Sequence, residues 1–101
     1  MNISNMKEKG TEGNYIFIPD YIARRTDLTP TAKMVYGVVQ SFFGGKTHSS
    51  LETLSKRTGT SRSSIQRAIK ELSGKRLIKQ KYVKDFNDRT IGRILRVTKP
   101  Q

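Results

Sequence analysis

The residue that most limits what this chain can fold into is Gly59. On its N-terminal side, HSSLETLSKRT places Leu51 and Leu54 on one side of a helical spacing. On its C-terminal side, TSRSSIQRAIKEL carries Ile65, Ala68, Ile69 and Leu72 at intervals of three and four, again a single apolar face. A glycine between them supplies the left-handed backbone that closes one helix and turns the chain toward the next. The two helices therefore cross, with Leu54, Ile65 and Ala68 as a small shared core.

The flanks supply start signals and a third helix. Ser49 and Glu52 have capping-box spacing, and Ser61 is placed to cap the helix after Gly59, worth about 1 kcal/mol. Upstream, DLTPTAKMVYGVVQSFF predicts a longer helix capped by Thr29, with Pro30 at its first position and Gly44-Gly45 at its end. Ala32, Val35, Val38, Val39 and Phe42 form its buried stripe, widened by Tyr36 and Phe43. Gly37 inside that helix costs roughly 1 kcal/mol relative to Ala, a cost consistent with a close crossing. Before it, Tyr15 to Ile18 is a short extended run stopped by Pro19, and Tyr21 and Ile22 offer apolar anchors in a short helical turn. Residues 1–14 are polar and glycine-containing, and are expected to be a flexible segment ahead of one domain at 15–99.

After Gly74 the period changes from helical to alternating. LIKQKYV and IGRILRV read as two strands, and KDFNDRT between them is rich in turn formers. Three helices followed by a basic hairpin define an α+β chain, a winged helix-turn-helix with a three-helix core and a C-terminal β-hairpin wing. In the hairpin loop, Asp85 and Asp88 are expected to set the turn through side-chain-to-backbone bonds.

Charge is distributed as unevenly as the elements. Residues 1–50 hold 6 basic and 4 acidic side chains, whereas residues 51–101 hold 14 basic and 4 acidic, a net of +10 out of +12. A field concentrated on one half attracts a polyanion. The basic half is not one long amphipathic helix of the kind that lies on a membrane, so a nucleic acid is the expected partner, and a helix-turn-helix with a wing makes double-stranded DNA the expected form of it. The exposed face of the third helix carries Arg62, Ser63, Gln66, Arg67 and Lys70 with no acid among them. With Ser61 at the cap, its N-terminal turn favours a phosphate, and its arginines and glutamine suit guanine and adenine edges in the major groove. In the wing, Lys79, Lys81 and Lys84 alternate with residues that can pack, and Arg89, Arg93 and Arg96 follow at the tip and on the returning strand. These side chains are expected on the DNA backbone or in the minor groove.

Other signals fail on inspection. GGKT at 44–47 echoes a phosphate-binding loop, but the position that should hold its first glycine is Gln40. His48 is the only histidine, there is no cysteine, and the acids are scattered, so no metal site or cofactor is expected. No nucleophile–base constellation supports an enzyme, and no small-molecule ligand is expected. The sequence has no signal peptide and no membrane-length apolar run, and a cytoplasmic protein is the expectation. Without heptads, a monomer or weak dimer is expected in solution, with several copies on repeated sites.

FIPDYIARRTDLTPTAKMVYGVV followed by SSLETLSKRTGTSRSSIQRAIKELSGKRLI resembles the winged helix-turn-helix domains at the N-termini of plasmid and phage replication initiators and related small regulators. The resemblance runs from Phe17 to Leu95, and LTPTAKMVY and LSKRTGTSRSSIQRAIKEL are its most specific parts. It implies Ser61 through Lys70 in the groove and Lys79 through Arg96 as the wing. In such initiators the domain binds repeated origin sites and precedes domains that recruit the replication machinery. Here the sequence stops at TKPQ, and those downstream functions do not carry over. Replication initiation or DNA maintenance is the implied role. A transcriptional repressor of the same geometry and a protein-binding winged-helix adaptor are the alternatives.

Overall fold

A computed structural model describes residues 15–98. The order is α1 (Asp20–Ala23), α2 (Pro30–Ser41), β1 (Lys46–Thr47), α3 (Leu51–Thr58), α4 (Arg62–Gly74), β2 (Ile78–Lys84) and β3 (Thr90–Val97). The three longer helices pack on one another, and an antiparallel sheet of order β1-β3-β2 closes the open side. This is a winged helix, α+β, as the period change after Gly74 predicts. The expected flexible segment at 1–14 lies outside the described residues.

The long helix begins as its sequence requires. Thr29 Oγ1 accepts from the amide of Ala32 at 3.2 Å, and Pro30 takes the first turn. The reciprocal half of the cap comes from α4, where Glu71 accepts from the Thr29 amide at 3.0 Å and its hydroxyl at 2.9 Å. Gly37 is where the chain before α1 crosses α2. A Cβ there would lie 2.6 Å from Ile16 Cγ2 and 2.7 Å from Ile18 Cγ1, and the Phe17 amide donates to the Gly37 carbonyl at 3.0 Å. The helix stops earlier than the glycine pair suggests. Phe42 is already extended (φ −80°, ψ 152°), and Gly44 and Gly45, both at positive φ, turn the chain into β1. Phe42 leaves the helix to pack against the core, while the side chain of Phe43 lies outside what is described.

One local expectation is corrected and one element is added. Ser50, not Ser49, caps α3 and accepts from the amide of Thr53 at 3.1 Å. Ser49 is held instead by Thr47, whose hydroxyl accepts from the Ser49 amide at 3.0 Å, because Thr47 is anchored in β1 opposite Leu95. That strand is an addition that the sequence reading lacks: the expected hairpin forms, and β1 joins it to make a three-stranded sheet. Two residues are too short a run for any period to reveal.

The core gathers Ile22 from α1, Leu28, and Ala32, Val35, Tyr36, Val38 and Val39 from α2. Leu54, Ile65, Ala68, Ile69, Leu72, Ile78 and Leu95 complete it. Each fully buried aliphatic side chain contributes on the order of 2 kcal/mol of transfer free energy. Tyr36 is buried with its hydroxyl 3.1 Å from that of Tyr21, and burial pushes its ionisation above the ordinary tyrosine range.

Candidate nucleic-acid interface

The turn between α3 and α4 sets the angle of everything outside it. Gly59 closes α3 at φ 72° and ψ 22°, and its amide donates to the Ser55 carbonyl at 2.8 Å. Thr58 Oγ1 donates back to Leu54 O at 2.8 Å and lies 2.7 Å from Thr60 Oγ1, while the Ser55 hydroxyl donates to the Thr60 carbonyl. Ser61 then caps α4, accepting from the Ser64 amide at 3.2 Å. A turn satisfied in this way holds α4 at one angle to α3.

With Ile65, Ala68, Ile69 and Leu72 buried, the 3.6-residue period puts Arg62, Ser63, Gln66, Arg67 and Lys70 on the outside, and all five are exposed. Arg67 is steadied by its Nη2 donating to Ser64 Oγ at 3.3 Å. Glu71, the one acid of α4, is bonded to Thr29 of the α2 cap and does not line the groove face.

Strand register decides what the wing adds. Residues paired across the sheet share a face, so Ile78–Val97, Gln80–Leu95 and Tyr82–Arg93 lie on one side. The base of that side belongs to the core. Its outer part faces α4 across an open groove lined by Ser63, Gln66, Arg67, Ile69 and Lys70 on the helix and by Gln80, Tyr82 and Arg93 on the sheet. A chain of hydrogen bonds spans the groove floor. Gln80 Nε2 donates to Ser73 Oγ at 2.9 Å, and Arg93 Nη1 donates to Gln80 Oε1 at 3.1 Å. The hairpin is thereby tied to the helix, and the guanidinium of Arg93 is held at the groove wall.

The other expected wing residues are elsewhere. Lys79 and Lys81 pair with Arg96 and Ile94 and project from the opposite face of the sheet. Lys84 follows a register shift between Val83 and Lys84, and its ammonium lies 3.6 Å from Asp88. Arg89 lies 3.6 Å from Asp85. Asp85 also builds the turn as its type predicts, accepting from the amides of Asn87 at 2.9 Å and Arg89 at 3.0 Å. Asp88 takes a left-handed conformation at φ 63°. The cations at the tip are thus paired with the tip's own acids, and the fully exposed ring of Phe86 stands out from it. Gln80 and Tyr82 were not among the expected contacts. Their parity with Arg93 across the hairpin is the signal that would have found them.

Acids elsewhere are equally committed. Asp20 lies 3.3 Å from Arg24, and Glu52 lies 3.5 Å from Lys56. Asp27 accepts from Arg25 at 2.9 and 2.7 Å. Those hydrogen bonds, with Lys75 nearby, hold its carboxyl well below the usual carboxylate range. Arg57 is structural. It donates to the Tyr15 carbonyl at 2.8 Å and stacks 5.6 Å from the Phe42 ring centre, and burial lowers its pKa. Among the described residues no group of three metal-ligating side chains comes together, and no helix is long and apolar enough to cross a membrane.

A capped helix on a glycine turn, with a hairpin folded beside its exposed basic face, defines a winged helix-turn-helix, a class that supports binding to DNA. The chain belongs to the helix-turn-helix domain family, which matches residues 26–78, from just before α2 to the start of β2. No curated protein and no solved structure matches it significantly.

Proposed function

We propose that this chain reads double-stranded DNA by sequence, with α4 in the major groove and the wing against the adjacent backbone or minor groove. The observation that carries the reading is the acid-free groove between α4 and the hairpin. There Gln66, Arg67 and Lys70 face Arg93, and the one carboxylate of the helix, Glu71, is bonded to Thr29 at the start of α2. Ser61, Arg62 and Ser63 at the start of α4 would take a phosphate on their backbone amides and on the Ser63 hydroxyl, the Ser61 hydroxyl serving as the cap. Gln66 and Arg67 would read base edges. Lys84 and Arg89 would reach the backbone only by exchanging an acid partner for a phosphate.

The domain at 15–99 would serve replication initiation or plasmid or phage DNA maintenance, as the resemblance implies, acting as a monomer or weak dimer that lines up on repeated sites. Repression of transcription is the second reading, because the same groove geometry serves both. Titration of a labelled duplex library should select a sequence at least about tenfold over random duplex. Equal affinity for all duplexes, or a preference for single strands, would sink the reading. Footprinting separates the two roles, since direct repeats support initiation and one site across a promoter supports repression.

A further inference from the structure

The sheet has a second basic surface that the groove cannot use. In the order β1-β3-β2, Lys46 pairs with Arg96 and Arg96 pairs with Lys79, so three cations stand side by side in one row on one face. Lys81, opposite Ile94, extends the same face toward the tip. All four cations are exposed. The described acids are held elsewhere, with Asp85 and Asp88 on Arg89 and Lys84 at the tip, Asp27 on Arg25 in the loop before α2, and Asp20, Glu52 and Glu71 on the helices.

Like charges directly opposite one another destabilise a sheet, and adjacent strands bring them to about 5 Å. An anion lying across the row would relieve that repulsion. The opposite face of the same strands is occupied by the core and the α4 groove. A duplex seated in the groove therefore lies on the wrong side of the sheet for Lys46, Lys79 and Arg96.

We infer that the outer face of the sheet, through Lys46, Arg96, Lys79 and Lys81, binds the phosphodiester backbone of a second DNA segment, so that one copy of the chain bridges two duplexes. The inference rests on the DNA-binding reading above. Its occupant follows from charge complementarity. A row of cations laid side by side across three strands of a sheet suits a regularly charged backbone, and a second stretch of the same polymer is present wherever the groove is filled. Contact there depends on salt and is indifferent to sequence.

The test uses a surface-immobilised duplex selected for groove binding and a fluorescent random-sequence duplex in solution. Wild-type protein bound to the first duplex should capture the second with one protein per two duplexes, and capture should fall steeply with salt. The double variant Lys46→Gln with Arg96→Gln should lose about tenfold or more of the capture. Its affinity for the immobilised duplex should stay within about twofold, because at physiological salt charges beyond roughly 8 Å are screened. Lys81→Gln, at the end of the row, should show a smaller loss, and thermal melts should show both variants folded.

Absence of capture by wild-type protein bound to the first duplex overturns the inference. So does undiminished capture by the double variant, or two proteins per bridge. Equal losses on both duplexes would assign the row to the primary interface and overturn it as well. If wild type fails to bind even the first duplex, it is the DNA-binding reading that has failed, which is a different result.

Discussion

On α4, Arg62, Arg67 and Lys70 stand over a helix whose single acid is turned back to Thr29. At the hairpin tip, Lys84 and Arg89 each lie 3.6 Å from an acid of the same loop. Both regions are rich in basic residues, yet only the first presents net charge to a partner. The helix can turn its acid away because its two sides face different media, one the protein and the other water. The tip of a two-stranded ribbon has no interior, so its acids stay beside its bases and build the turn. Counting cations overstates the tip and understates the helix.

The largest effect should come from undermining the helix itself. Ile65→Ala removes a fully buried side chain beneath the basic face and should cost about 2–5 kcal/mol in urea unfolding. Tyr82→Ala on the groove's sheet wall, half exposed, should cost less than about 1 kcal/mol. Comparable losses would mean that the hairpin, and not the core, holds the groove.

Discrimination comes next. Gln66→Ala or Arg67→Ala should cost about 1–3 kcal/mol of preference for the selected duplex over altered ones if either makes a bidentate base contact. If neither changes affinity or preference while Arg93→Ala abolishes both, the hairpin is the reader.

The junction between the two regions gives a stability effect of about 1 kcal/mol. Arg76 occupies the left-handed position after α4 at φ 61°, where the Leu77 amide donates to Leu72 O at 2.9 Å and the Arg76 amide donates to Ser73 O at 3.0 Å. Arg76→Gly should raise the unfolding midpoint by relieving that conformation. A fall would show that the arginine side chain holds the junction.

The smallest effect sharpens the contrast at the tip. Asp88→Asn keeps a residue tolerant of the left-handed turn while releasing Lys84, so affinity for every duplex should rise. The salt slope should steepen by about one phosphate's worth. Lys84→Ala should change affinity little, since an exposed ion pair contributes about 0–1 kcal/mol and its cation is already neutralised. A large loss in Lys84→Ala, with none in Asp88→Asn, would show that the lysine abandons its acid to grip DNA.

The helices, the glycine turn and the outward basic face of α4 are legible in the amino-acid sequence alone. Each rests on interactions within a few residues: the three-and-four spacing from Ile65 to Leu72, the Ser61 cap and the left-handed Gly59. Gly37 also announced a close crossing, though not that Ile16 and Ile18 make it. Tertiary structure decided the rest, because the deciding partners are distant along the chain. Thr47 joins β3 only once Leu95 is in place, and that pairing moves the α3 cap from Ser49 to Ser50. Glu71 becomes a cap for Thr29 across 42 positions. In the hairpin, alternation shows that Lys79 and Lys81 share a face, but it cannot say which face meets α4. The core chose the side carrying Ile78 and Leu95, and that choice brought Gln80, Tyr82 and Arg93 to the groove and left the lysine row outside.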